Sequence, residues 1–113
     1  MANSFVNKKV DLTSTAATVL YTVPDASTAI IKSILVSEDS GNADTITVTI
    51  TDTSDAVFSL FKTKAISANA TTELLTAPLV LQQKEVLKVT AATANRLHVV
   101  LSALESKPRE VIT

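Results

Sequence analysis

The sequence predicts an all-β fold, an eight-stranded antiparallel β-sandwich of jelly-roll or immunoglobulin-like topology, and three observations carry that expectation. Apolar and polar residues alternate with a period of two from end to end. Thr and Val are abundant, and these β-branched residues suit a pleated, half-buried surface. Segments of strand length recur at spacings of about 8–12 residues, separated by turn-forming residues. With a single glycine, Gly41, the turns are expected to use Asp, Asn, Ser and Pro instead.

The strand Thr45–Thr51 is the clearest element. Ile46, Val48 and Ile50 face a core while four threonines line the other side. Ahead of it, Phe5–Leu12 reads as an edge strand, with Lys8 and Lys9 discouraging edge-to-edge pairing. Thr18–Val23 places Val19, Tyr21 and Val23 on one face. Pro24-Asp25-Ala26-Ser27 makes a tight turn into Thr28–Ser37. Beyond the threonine strand, Thr53-Ser54-Asp55 turns the chain into Ala56–Lys64. A short segment, Thr71–Leu75, precedes Ala77–Leu81, and Val86–Ala91 and Arg96–Leu104 complete the set. Ala65–Ala70 is compatible with a helix, though its Ser and Asn favour a loop. Residues 1–105 form one domain with a short N-terminal arm, and 106–113, which loses the alternation and contains a proline, forms a C-terminal tail.

Composition narrows the function. The net charge of −1 is scattered, so there is no electrostatic footprint for nucleic acid. No window approaches the roughly 20 apolar residues of a membrane span. The first residues lack an apolar run behind a basic segment, so a secretory signal is not expected. The absence of cysteine excludes disulfides and thiolate metal sites.

Candidate chemistry is sparse. His98, the one histidine, lies opposite Leu97, Val99 and Leu101 in the last strand, with no nucleophile or carboxylate nominated to converge on it. Acidic residues cluster in Glu38–Asp44 and at Asp52 and Asp55, but their spacing is not that of a calcium loop, and turns use the same residue types. One glycine cannot build a phosphate cradle. Core packing accounts for Tyr21, Phe58 and Phe61 better than stacking on bases or sugars does. The expectation is therefore a chain with no catalytic residue, no metal and no cofactor.

Two strands are apolar on both faces. In Ala29–Val36, alternation places Ile30, Ile34 and Val36 opposite Ile31 and Leu35. In Val57–Phe61, Phe58 and Leu60 oppose Val57 and Phe61. Either a sheet or long loop covers the second face within the monomer, or that face lies at a subunit interface. Candidate oligomer or partner-protein contacts are Ile31, Leu35, Val57 and Phe61, together with Lys107 and Arg109, which could touch an acidic surface.

Leu20-Tyr21-Thr22-Val23-Pro24, followed by Thr28-Ala29-Ile30-Ile31-Lys32-Ser33-Ile34, resembles the opening of small virion structural proteins of tailed bacteriophages. The likeness continues through the alternating threonine strand, Pro78-Leu79-Val80-Leu81, Leu87-Lys88-Val89-Thr90-Ala91, the turn ending Ala94-Asn95, and Leu104-Glu105. It spans Leu20 to Glu105. The chain departs from the pattern at Ala26 and at Lys84-Glu85, turns where such proteins often place glycine. The resemblance implies a β-sandwich virion component, assembled in the host bacterial cytoplasm. The first reading is a capsid decoration (cement) protein bound to the major capsid protein or another virion protein. Proteins of this kind are commonly homotrimers at capsid symmetry points, with Met1–Asn7 and Ser106–Thr113 suited to act as arms. A tail or fibre component, or a receptor- or carbohydrate-binding module, is the alternative.

Overall fold

A computed structural model gives the fold and describes residues 2–107. Nine strands follow one another: β1 (Ala2–Asp11), β2 (Thr18–Thr22), β3 (Thr28–Glu38), β4 (Asp44–Thr51), β5 (Val57–Ile66), β6 (Thr71–Glu73), β7 (Leu79–Leu81), β8 (Val86–Ala91) and β9 (Leu97–Lys107). One sheet runs β1-β9-β3-β6, with β7 also on β3, and the other runs β2-β8-β4-β5. Every pairing is antiparallel. The chain is thus an all-β sandwich, without helix among the described residues.

Alternation builds the core, as the threonine strand illustrates. Ile46 and Val48 are fully buried while Thr45, Thr47 and Thr49 stay half-exposed on the outer side. Residues of the facing sheet, among them Ile31, Ile34, Val36, Leu97, Val99 and Leu101, complete the same apolar cluster. A buried pair crosses it, the Tyr21 hydroxyl donating to Glu105 Oε2 at 2.6 Å. Burial, then the hydrogen bond to Glu105 and its charge, push the Tyr21 phenol well above its ordinary range.

β6 and β7 lie end to end along β3. Leu35–Ser37 pair with Thr71–Glu73, and Ala29–Ile31 pair with Leu79–Leu81. The two therefore share one strand position, so nine strands fill the eight positions of the expected sandwich. Glu73 closes the gap between them. Its carboxylate accepts from the Ser33 hydroxyl, from the Ile34 amide at 2.8 Å and from the Leu75 amide at 3.2 Å. Burial raises this carboxyl, but those bonds outweigh it and hold Glu73 below the usual carboxylate range.

Register shifts in three strands overturn the simple alternation. A bulge between Ile31 and Ser33 shifts β3 by one residue against β9, with Lys32 as the extra residue. Ile31, Ile34 and Val36 consequently all point inward, while Ile30 and Leu35 point outward. In β2 the register breaks between Val19 and Tyr21, so Val19 is exposed and Leu20 joins Tyr21 and Val23 in the core. In β5 Leu60 is extra, which puts Phe58 and Phe61 on the same, inner side, opposite Ile50 and Val48. A one-residue insertion reverses every side chain beyond it.

With one glycine the chain still needs left-handed residues, and it uses Ala26 (φ 56°), Asp55 (φ 65°), Thr63 (φ 50°), Asn69 (φ 57°), Lys84 (φ 66°) and Asn95 (φ 65°). Ala26 and Lys84 each sit third in a turn closed by a backbone bond, Ser27 N–H to the Pro24 carbonyl and Glu85 N–H to the Gln82 carbonyl. This is the position where a type II turn favours glycine. The Ala65–Ala70 segment is the end of β5 and a turn, not a helix.

The described residues begin and end in strands. β1 begins at Ala2 and stays paired with β9 as far as Lys107, so Ser106 and Lys107 extend the last strand. The remainder of the expected tail lies outside the described residues. Lys8 faces the inner side of edge strand β1, paired with buried Leu101, an inward-pointing charge of the kind that disfavours edge-to-edge pairing.

Candidate contact surface

The candidate contact residues fall into three environments. Ile31 is fully buried beneath the bulge and contacts nothing outside the monomer, a correction to the expectation from alternation. Leu35 and Val57 are exposed, the latter 62%. Phe61 is half-buried, packs against the core from the inner side of β5, and reaches the surface at the sandwich edge. Lys107 is exposed at the end of β9, and Arg109 lies outside the described residues.

Two apolar regions result. The first is the open edge where β5 of one sheet meets the broken strand of the other. Phe58, expected in the core, is 55% exposed, because β5 is a sheet edge and Ile50 beside it lies at the rim of the core. Leu60 and Phe61 line one wall of an open groove of about 300 Å³ here, and Leu74, Leu75, Pro78 and Leu79 line the other. The edge is held in shape. A second irregularity at Lys62 and Thr63 interrupts the ladder, and the Thr63 amide donates to Thr47 Oγ1 at 3.0 Å. Asp52 closes the β4–β5 hairpin by accepting from the Ser54 amide, the Ser54 hydroxyl and the Ala56 amide. The Ser54 and Ala56 bonds keep the Asp52 carboxyl below the usual carboxylate range.

The second region is the outer face of the sheet β1-β9-β3-β6, where the register sets side chains in rows across the strands. Phe5, Leu104, Ile30 and Val80 are directly opposite one another in turn. Phe5 is 84% exposed and Val80 53%. Four residues along β1, the row is Lys9, Val100, Leu35 and Glu73, and at the far end it is Asp11, His98, Ser37 and Thr71. Alternation in Phe5-Val6-Asn7-Lys8-Lys9-Val10-Asp11 already places Phe5 with the polar set, the one sequence signal that it faces outward.

The polar residues act on the fold. Glu38 is buried, and its carboxylate accepts from the Ser40 hydroxyl, the Ser40 amide at 2.8 Å, the Gly41 amide at 3.0 Å and the Asn69 amide at 3.1 Å. Burial pushes this carboxyl up, but the bonds from Ser40, Asn69 and Gly41 prevail and hold it at about 2. The acidic loop is therefore organised around an anion already satisfied by amides. His98 is flanked by carboxylates, Nε2 3.2 Å from Asp11 Oδ1 and Nδ1 3.4 Å from Asp39 Oδ2, all at the surface. Among the described residues no group of three or more His, Cys, Asp or Glu is placed to hold a metal ion.

No family model matches this chain, and no curated protein matches it significantly. Among solved structures it is similar to a protein of the Bacillus endospore appendages, described as a novel family of disulfide-linked pili. The TM-score is 0.49 at 13% identity, covering 93% of this chain and 88% of that one. This chain has no cysteine.

Proposed function

We propose that this protein is a non-enzymatic structural component of a tailed-bacteriophage particle, a capsid decoration protein that binds the outer capsid lattice and stabilises the head. The observation that carries the reading is the open sandwich edge. A two-sheet scaffold leaves Val57, Phe58 and Leu60 uncovered beside an apolar groove on a strand whose shape is fixed by bulges and an Asp52-capped hairpin. Apolar side chains gathered on one edge of a small domain suit contact with another protein surface. The strand order, 1-9-3-6 facing 2-8-4-5, supports the jelly-roll alternative over the immunoglobulin-like one, since each sheet interleaves early and late strands as two Greek keys do. The phage resemblance supplies the partner, the major capsid protein or another virion protein, and a homotrimeric state.

The test is binding of the purified chain to heads assembled without it. Saturable binding in many copies, with a gain in heat resistance, is the expected result. The double substitution F58S/L60S should lower the affinity at least about tenfold, two apolar anchors being removed from the contact. Absence from heads, or presence only as a few copies in the tail, would overturn the reading.

A further inference from the structure

We infer that the outer face of the sheet β1-β9-β3-β6 is a self-association surface on which a second copy of this chain packs about a two-fold axis. The axis runs along the strands, between β9 and β3. This inference uses a different face from the open edge and does not depend on the phage reading.

The inference follows from the rows. Turning a copy about such an axis lays β1 over the partner's broken strand β6–β7 and β9 over its β3. The row Lys9, Val100, Leu35, Glu73 then meets itself reversed. Lys9 comes to Glu73 of the second copy, Val100 comes to Leu35, and symmetry makes each contact twice. The apolar row also meets itself, Phe5 against Val80 and Leu104 against Ile30. Asp11 falls over Thr71, so no carboxylate meets a carboxylate. Lys32, the exposed lysine at the bulge, falls over a serine hydroxyl, Ser102.

The other in-plane axis, across the strands, fails the same examination. It lays each strand over its own copy, so Lys9 of β1 never meets Glu73 of β6 and the two opposite charges stay unpaired across the contact. The charge pattern therefore selects one of the two axes. Sheets packed face to face cross at about 30° because each is twisted, and that angle keeps the central strands, which carry Leu104, Ile30, Val100 and Leu35, in register.

The size of the face sets the strength. Four strands about 4.8 Å apart and a strip about 20 Å long give about 400 Å² per chain. Stable complexes bury about 800 Å² per partner, so this contact is weak in solution and matters when copies are crowded or held side by side.

Lys9 and Glu73 provide the test. They sit on opposite edges of the sheet, separated by about 14 Å across three strand spacings. A zero-length amide bond between them can therefore form only between molecules. The full chain at about 1 mM, half of it isotopically labelled, is treated with a carbodiimide and mapped by mass spectrometry. Mixed-isotope Lys9–Glu73 links are expected. They should fall about tenfold in F5D, a change at a largely exposed site that leaves the fold intact by circular dichroism. Sedimentation equilibrium should show K9E weakening association by a similar factor. A chain that stays monomeric at that concentration with no intermolecular Lys9–Glu73 link overturns the inference, and so does a link that F5D leaves unchanged.

Discussion

β3 and β5 have the same kind of sequence, apolar on both faces, and the fold treats them in opposite ways. β3 lies between β9 and the broken strand, so its inward residues close the core and, of its apolar side chains, only Ile30 and Leu35 reach the outer face. β5 is the edge of its sheet, and Val57, Phe58 and Leu60 remain uncovered although Phe58 points to the inner side. A strand's neighbours decide whether an apolar residue becomes core or stays uncovered. Bulges at Lys32 and Leu60 then decide which residues go where.

The sharpest way to break the comparison is to truncate both strands. Ile31→Ala should cost about 2–4 kcal/mol in urea unfolding, as removal of a fully buried side chain does. Val57→Ala should cost less than about 0.5 kcal/mol, an exposed change away from any special feature. Equal losses would mean that β5 is covered within the monomer.

The next effect concerns the loop that leaves β3. The Glu38 carboxyl lies at about 2 in the folded chain against an ordinary 4.5. Its contribution to stability is therefore complete above about pH 4.5 and is lost as the pH falls through about 2. Glu38→Gln should lower Tm at pH 7 and flatten the acid limb of stability between those values. A wild-type acid limb retained in E38Q would assign acid sensitivity elsewhere.

A smaller and opposite effect is expected at the turns. Ala26→Gly and Lys84→Gly relieve left-handed strain at two non-glycine residues, and each should stabilise by about 0.5–1 kcal/mol in urea titrations. These changes touch neither apolar surface, so head binding should stay as it is.

Much of the fold is legible in the sequence because period-two alternation depends only on which residues face water. Thr45–Thr51 illustrates this, and so does the run of buried residues Leu97, Val99 and Leu101. Facing was not legible where one residue is inserted. Nothing in Ile30-Ile31-Lys32-Ser33 marks Lys32 as a bulge, because the bulge is defined by register against β9, over sixty residues away. Which apolar residues stay exposed was half legible for the same reason. Leu35 and Val57 followed from two-sided strands, while Phe5 and Val80 gain meaning only when strands from both ends of the chain are laid side by side. The buried Glu38 resembled any acidic turn residue until its amide partners, including Asn69 from a distant loop, were placed around it.

The central claim is that the uncovered β5 edge is where this protein meets the particle. A density map of intact particles, resolved well enough to orient the sandwich, tests it most directly. The account predicts many copies on the outer surface of the head, with Val57, Phe58 and Leu60 against the capsid protein. Copies confined to the tail, or seated on the head with β5 facing solvent, would contradict it.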